Sequence, residues 1–132
     1  MTRSMNIGEA AEAAGVSAKM IRHYEQIGLL PAAARTESGY RQYGERDVSV
    51  LRFIRNAREL GFPLAEIGTL LELWRNRGRT SAEVKKLAMS HVEELEEKAR
   101  ALSAMADSLK HLASHCTGDA RPDCPILEEL AS

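Results

Sequence analysis

The fold is decided by residues 7–28, which read IGEAAEAAGVSAKMIRHYEQIG. Residues 7–14 are rich in alanine and predict a short helix, which the tripeptide beginning at Gly15 interrupts. Ser17 is a favourable N-cap for a second helix, and Gly28 is placed to end it. Two short helices joined by a three-residue turn that contains glycine predict a helix-turn-helix.

The next segment, residues 30–47, reads LPAAARTESGYRQYGERD and combines turn formers with basic and aromatic residues. This composition favours a β-hairpin, or wing. Asp47 is predicted to open a third helix, which Gly61 stops. Pro63 is then expected in the first turn of a fourth helix that ends at Gly78.

A long helix is predicted from the capping-box pattern of residues 80–83 to about His115. Its apolar positions recur in alternating steps of four and three, which is a heptad seam. The seam consists of Ala88, Val92, Leu95, Ala99, Leu102, Ala106, Leu109 and Ala113. The sequence contains no second long helix to cover this seam, so we expect a homodimer held by an antiparallel coiled coil.

Composition places the 132-residue chain among globular proteins, with 44% hydrophobic and 28% charged residues. No signal peptide or membrane-spanning run is visible, so we expect a cytoplasmic protein with no membrane partner. No nucleophile–base pair, phosphate loop or paired carboxylate site stands out, which argues against an enzyme. The predicted fold class is mainly α, with a winged helix-turn-helix head (1–79), a dimerisation helix (80–115) and a loop with a short terminal helix (116–132).

Basic residues concentrate in the head. Residues 1–79 carry 12 Lys and Arg against 9 Asp and Glu, whereas residues 80–132 carry 6 against 10. On the second helix Lys19 and Arg22 fall away from the apolar side, where they could reach base edges and phosphates. The wing and third helix add more basic and aromatic side chains. A helix-turn-helix with a basic wing in a dimer favours double-stranded DNA as the partner.

Three blocks of this sequence resemble the MerR family of transcriptional regulators. They are NIGEAAEAAGVSAKMIRHYEQIGLL (6–30), RTESGYRQY (35–43) and LRFIRNARELGFPLAEI (51–67), in the order typical of the family. The resemblance covers almost the whole chain. It implies DNA-binding roles for two residue groups and one arginine: Lys19, Arg22 and Tyr24 on the recognition helix, Arg35, Tyr40, Arg41 and Tyr43 on the wing, and Arg55 as a phosphate contact. His23 departs from the Tyr or Phe usual at its position.

The resemblance also implies a mechanism of activation. Dimers of this family bind a palindrome in a promoter with a long spacer, both with and without effector. The effector-bound dimer bends and untwists the DNA, so that RNA polymerase meets both promoter elements on one face.

The effector is suggested by HCTGDARPDC, residues 115–124, which holds both cysteines of the chain. In a reducing compartment two thiols more often bind metal or react than form a structural disulfide. Two thiolates suit a linear, monovalent d10 ion, which is Cu(I) and by the same chemistry Ag(I) or Au(I). Cys116 and Cys124 are therefore the expected metal ligands. His115 is a further candidate ligand.

The spacing Cys-x7-Cys followed by Pro-Ile resembles the copper-responsive branch of the family, the copper-efflux regulators. In zinc- and mercury-type relatives a cysteine at the start of the dimerisation helix supplies a further ligand, and here that position is Ser81. Serine is a poor ligand, so the resemblance favours monovalent over divalent ions. Three alternatives remain open: a redox sensor that forms a Cys116–Cys124 disulfide, a divalent-metal (Zn or Hg) sensor, and a copper-buffering protein with no DNA role.

Overall fold

The computed structural model describes residues 4–132 and confirms a mainly helical fold. Its elements divide into two units, one that ends at Thr80 and one that comprises Ser81–Ser132. The first unit, which we call the head, contains the following elements: α1 (Ile7–Ala14), α2 (Ala18–Gln26), β1 (Ala34–Arg35), β2 (Arg41–Gln42), α3 (Glu45–Glu59) and α4 (Leu64–Arg75). The second contains α5 (Ser81–Ser114) and α6 (Pro125–Ala131).

Local capping contacts form the helix-turn-helix as predicted. A capping box begins α1, in which the Asn6 side chain accepts the Glu9 N–H at 2.8 Å and the Glu9 carboxylate accepts the Asn6 N–H at 3.1 Å. Gly15 ends α1 with a φ of 71°, a left-handed conformation that glycine adopts without strain. Ser17 Oγ then accepts the Met20 N–H at 3.1 Å and begins α2.

The wing is an antiparallel hairpin of two short strands. Ala34 pairs with Gln42, and Arg35 pairs with Arg41. Beyond β2, Tyr43 and Met5 exchange two backbone hydrogen bonds of 2.8 Å each, so the chain before α1 extends the ladder. The hairpin is thereby fixed to the head on its β2 side.

Two helix boundaries differ from the predictions. The third helix begins at Glu45, and Asp47 lies in its first turn, where the carboxylate accepts the Gly44 N–H at 2.9 Å. A carboxylate at this position accepts a hydrogen bond from a free N–H group, as an N-cap side chain does. This similarity explains why the predicted start of the helix was two to three residues too late. The fourth helix has Pro63 at its N-cap and ends at Arg75, three residues before Gly78.

The head has its own hydrophobic core, formed where α1 packs on α2 and α3, and α3 packs on α4. Its fully buried large side chains include Ile21, Leu51, Ile54 and Ile67. Tyr24 and Tyr43 also belong to this core. This core fixes the helix-turn-helix and the wing relative to each other.

The second unit is organised differently. Its α5 has 34 residues, of which His91 alone is buried, and α6 packs against α5. The seam side chains are exposed in the chain, Leu102 at 63% and Leu109 at 56% among them. In residues 4–132 we find no helix long and apolar enough to cross a membrane.

Candidate nucleic-acid interface and metal-binding loop

The recognition helix α2 presents a basic face to solvent. Lys19 and Arg22 are exposed, while Ile21 on the opposite side is fully buried. The helical period places 19 and 22–23 on one side, as predicted, and the buried residues 21 and 24 on the other. His23 is also exposed beside Arg22. These side chains have the position and charge that a major groove contact requires.

Tyr24 does not belong to this exposed face. It is 2% exposed, and its hydroxyl accepts a hydrogen bond of 3.0 Å from Arg58 Nη1 on α3. The ring packs in the core, where it orients α2 against α3, and the DNA contact that the resemblance implies for Tyr24 stays a prediction. The physical reason for its burial is the same helical period that turns Lys19 outward.

Tyr43 is likewise a core residue rather than an exposed wing residue, with 1% of its surface exposed. Its hydroxyl donates a short hydrogen bond to Glu25 Oε1 on α2. Arg41, on the wing, lies with its Nε 3.5 Å from Glu25 Oε2. Tyr43 thus has an internal partner, and its expected contact with DNA stays a prediction. A carboxylate joins the recognition helix to the wing.

The environment of Tyr43 raises its pKa to about 12 from 10.0. Burial is the largest cause, followed by the hydrogen bond to Glu25 and the negative charge of that carboxylate. The guanidinium groups of Arg41 and Arg22 oppose the shift. Tyr43 therefore remains a neutral donor to Glu25 across the physiological range of pH.

Two wing residues remain exposed as a DNA contact requires. Tyr40 at the hairpin turn is 74% exposed. Arg35 is exposed and donates from Nη1 to the Gly39 carbonyl at 2.9 Å, which holds it against the turn. Arg35 lies directly opposite Arg41 across the hairpin. Like charges in such a pair repel, and an anion bound beside them would relieve that repulsion.

Arg55 sits at the junction of α3 and α1. Its Nη1 lies 3.4 Å from the Ala14 carbonyl and its Nε 3.2 Å from Glu59, and 46% of its side chain is exposed. Arg52 donates to the Ala13 carbonyl at 3.0 and 3.3 Å. These arginines satisfy carbonyls at the end of α1, where a cation is favourable. Arg55 thus combines a structural contact with enough exposure to reach a phosphate.

Glu25 was not among the residues predicted from the sequence, and Arg52 and Arg58 had no predicted structural role. A signal for Glu25 exists, because it lies four residues after Ile21 and hence towards the buried face of α2. A carboxylate in such a position needs partners. The spacing of Arg52, Arg55 and Arg58 indicates a basic face on α3, but gives no sign that all three contact neighbouring helices.

The two cysteines lie at the ends of the loop that links α5 to α6. Both are free thiols and half-buried. Cys116 follows α5 directly, with its N–H donating to the Ala113 carbonyl at 3.1 Å, and Cys124 is the N-cap residue of α6. Gly118 turns the chain with a φ of 67°. Because α6 packs on α5, the loop between the two cysteines turns the chain back on α5.

Polar side chains near the thiols have partners of their own. His115 Nδ1 lies 2.8 Å from the His111 carbonyl. Asp119 accepts three contacts from Arg121, its backbone N–H at 2.9 Å and its guanidinium Nε and Nη2 at 2.8 Å each. The side-chain hydrogen bond from Arg121 is the largest of the causes that lower the pKa of Asp119. Asp119 is therefore held as an ion pair within the loop.

The donor set of this loop fits a soft ion. Its two sulfur atoms, as thiolates, prefer soft metals such as Cu(I). The carboxylate of Asp119, a hard donor, is engaged by Arg121. Ser81, the residue that resemblance marked for metal selectivity, is exposed as the first residue of α5.

Comparison with known proteins identifies the family. Residues 5–74 match the family model described as "MerR HTH family regulatory protein", and residues 48–112 match "MerR, DNA binding". The chain belongs to the MerR family. Members of the MerR family are DNA-binding transcription regulators, so the chain is a regulator and not an enzyme.

Among MerR relatives, the chain is 61% identical over 127 residues to "HTH-type transcriptional regulator HmrR" of Sinorhizobium medicae, covering 96% of this chain and 86% of the relative. It is 59% identical over 128 residues to "Heavy metal-dependent transcription regulator 2" of Rhizobium meliloti, covering 97% and 87%. Among solved MerR structures, the transcription regulator PbrR691 from Ralstonia metallidurans, in complex with lead(II), superimposes with a TM-score of 0.83. It shares 34% identity, with 96% of this chain and 98% of that chain covered.

Proposed function

We propose that this MerR family member is a Cu(I)-responsive activator of transcription that also accepts Ag(I) or Au(I). Residues 1–79 bind a palindromic promoter, residues 80–115 hold two copies together, and residues 116–132 bind the ion through Cys116 and Cys124. Binding of the ion shifts the promoter-bound dimer to a state that distorts the DNA for RNA polymerase. The observation that carries this proposal is the pair of free, half-buried thiols at the two ends of the single loop that links α5 to α6.

DNA binding is supported by the exposed cations of the head. Lys19 and Arg22 on α2 suit base edges, and Arg35, Arg41 and Arg55 suit phosphates. Tyr40 adds an exposed phenol at the wing turn. Each phosphate that these side chains neutralise releases counterions, so we expect binding to weaken steeply with salt.

The homodimer is supported by the exposed seam of α5. Burying a leucine side chain contributes about 1.5–3 kcal/mol. The seam carries three leucines and a valine, interleaved with alanines. A helix of 34 residues that leaves its apolar stripe in water would be a marginal structure on its own. A second copy of α5 supplies a complementary stripe in a closed, two-fold arrangement.

Metal sensing is supported by chemistry and by similarity to relatives named as heavy metal-dependent. The two sulfur donors and the serine at position 81 favour a monovalent ion. The solved lead(II) complex of a relative at 34% identity keeps a divalent ion as the second candidate. Because the loop directly continues α5, an ion that closes the loop acts on the element that joins the two copies. Such an ion can switch the dimer only by binding one of its states more tightly.

The test is an anaerobic titration of the reduced full-length protein with Cu(I) against a competing chelator, with Zn(II) and Pb(II) in parallel. We expect one tightly held Cu(I) per chain. Cys116→Ser and Cys124→Ser should each abolish tight binding, because one thiolate cannot form a two-coordinate site. Thr117→Ala is a matched control, since it alters an exposed loop residue beside Cys116 and keeps both thiols.

The other outcomes separate the alternatives. Tight Zn(II) or Pb(II) with weak Cu(I) would contradict the copper assignment in favour of a divalent sensor. Promoter activation by an oxidant, with loss of both free thiols and without metal, would favour the disulfide sensor. Tight Cu(I) with no shift of any promoter duplex would favour copper buffering.

A further inference from the structure

Glu25 is a carboxylate on the inward side of the recognition helix α2, and only 8% of its side chain is exposed. Withdrawing an ionised carboxylate from water is costly unless donors or cations compensate. Both compensating groups belong to the wing segment. Tyr43 donates its hydroxyl hydrogen to Oε1, and Arg41 Nε lies 3.5 Å from Oε2. One side chain of α2 thus holds two residues of the wing.

The geometry of the wing allows this double contact. Residues 41 and 43 are two apart on an extended segment, so their side chains lie on the same face. Tyr43 is itself fixed, because its backbone pairs with Met5 and its ring is in the core. The wing is therefore attached to α2 through Glu25 as well as through the backbone ladder, and a rotation of the hairpin about α2 would break the Glu25 contacts.

The contact also orients a cation at the surface. Glu25 faces Nε of Arg41, and a guanidinium carries two further NH2 groups on its outer edge. The Arg41 side chain is 31% exposed. Glu25 thus fixes the direction of the Arg41 guanidinium while part of that guanidinium remains accessible to a phosphate.

We propose that Glu25 is a positioning residue for DNA recognition. It holds the wing at a fixed angle to α2, so that Arg35 and Arg41 meet the backbone while Lys19 and Arg22 lie in the groove of the same duplex. Preorganisation of this kind raises affinity because no ordering is left to occur on binding. The inference deepens the proposed DNA-binding function and rests on it.

The direction in which one substitution changes DNA affinity separates this positioning role from a purely electrostatic effect. Glu25→Gln keeps the size of the side chain and an oxygen for the Tyr43 hydroxyl, but removes a negative charge that lies beneath the DNA-binding face. Charge alone predicts tighter binding to a polyanion. Positioning predicts weaker binding, since Arg41 loses its anchor. Glu37→Gln is the matched control, because it makes the same charge change in the exposed hairpin turn.

The experiment uses the full-length protein. The wild-type protein selects an operator from a pool of random duplexes, and its Kd is compared with those of the variants at one salt concentration. Circular dichroism melting checks that each variant is folded. We expect Glu25→Gln to weaken binding about tenfold, with loss of hydroxyl-radical protection at the outer wing phosphates and retention at the central groove. Glu37→Gln should bind as tightly as wild type or more tightly.

A folded Glu25→Gln variant that binds as tightly as Glu37→Gln would overturn the inference and leave the DNA-binding proposal intact. Protection lost evenly along the operator, with a matching fall in Tm, would also overturn it, because that pattern indicates only a structural contribution. Should Glu25→Gln fail to fold, Tyr43→Phe keeps the core ring, removes the donor and must show the same wing-specific loss. Failure of wild type to select any duplex would overturn the DNA-binding proposal and this inference together.

Discussion

The head and the second unit use their apolar residues in opposite ways. In the head, side chains from all four helices and the wing segment are buried together, and Leu51 and Ile54 are fully inaccessible. In α5, the equally regular apolar seam is exposed, with Leu102 at 63%. The head therefore has a complete hydrophobic core within one chain, whereas the apolar seam of α5 faces solvent.

If the proposed homodimer forms through α5, stability and assembly belong to separate parts of the chain. The free energy of folding of the head should be independent of protein concentration. That of α5 should depend on it, because burial of the seam is coupled to association. Three predictions test this comparison and the contacts on which it depends.

The largest expected effect comes from a pair of leucine substitutions. Leu51→Ala should lower the free energy of unfolding of the head by about 2–5 kcal/mol, because it leaves a cavity in a closed core. Leu102→Ala should leave the head unchanged and weaken the dimer. Urea unfolding at two protein concentrations, with sedimentation equilibrium, separates the two effects.

If the unfolding of wild type and of Leu102→Ala is independent of concentration and both sediment as monomers, the seam has no second copy as its partner. A concentration-dependent loss of stability in Leu51→Ala alone would reverse the assignment of the two regions.

An intermediate effect is expected at two glycines of the head. Gly15 and Gly28 both have positive φ values, 71° and 80°. Alanine at either position should cost about 1–2 kcal/mol in unfolding free energy, because a Cβ is strained in this conformation. At Gly15 the added Cβ would also overlap the Arg55 guanidinium, whereas at Gly28 it would meet nothing within 4 Å.

We therefore expect Gly15→Ala and Gly28→Ala to melt alike, but only Gly15→Ala to reduce operator affinity, since it displaces Arg55 from the end of α1. Melting curves and DNA titrations of both variants provide the measurement. Equal operator affinities would show that the position of Arg55 does not matter for binding.

The smallest effect at neutral pH, and the most specific one, concerns the Tyr43–Glu25 contact. The folded protein raises the pKa of Tyr43 to about 12 from 10.0, so it favours the protonated phenol. The resulting stabilisation is complete below pH 10 and is lost as the pH rises towards 12. Tyr43→Phe should reduce this alkaline loss of stability, and Tyr40→Phe, an exposed position, should not. Urea unfolding between pH 9 and pH 12 measures it, and identical profiles for the two variants would contradict the assignment.

Much of the fold could be predicted from local sequence signals. Gly15 and Ser17 marked the turn of the helix-turn-helix, because each residue has a specific backbone role. The heptad seam indicated α5 through its period alone. The start of α3 was misplaced because Asp47 acts from the first turn, and a carboxylate there resembles an N-cap in the sequence.

The candidate DNA interface and metal-binding loop were harder to predict from the sequence than the fold. The exposed cations Lys19, Arg22 and Arg35 follow from helical period and composition. The family resemblance implied the same DNA-binding role for Tyr24 and Tyr43. Their rings are nevertheless buried, because burial depends on tertiary packing that the resemblance did not reveal. The partnership of Glu25 with Tyr43 joins residues 18 positions apart, and no local pattern encodes it. The metal ligands Cys116 and Cys124 stay a prediction from donor chemistry and resemblance.

The short loop between the cysteines has a consequence for how the proposed site would compete for metal in a cell. Gly118 sets its turn, and the ion pair of Asp119 with Arg121 restrains its middle. Once an ion reaches one thiolate, the second is tethered nearby at an effective concentration on the order of millimolar. A restrained loop also loses less chain entropy when the ring closes. If the two cysteines hold the proposed ion, such a chelate would allow the ion to pass to or from a dithiol donor one sulfur at a time, without release into solution.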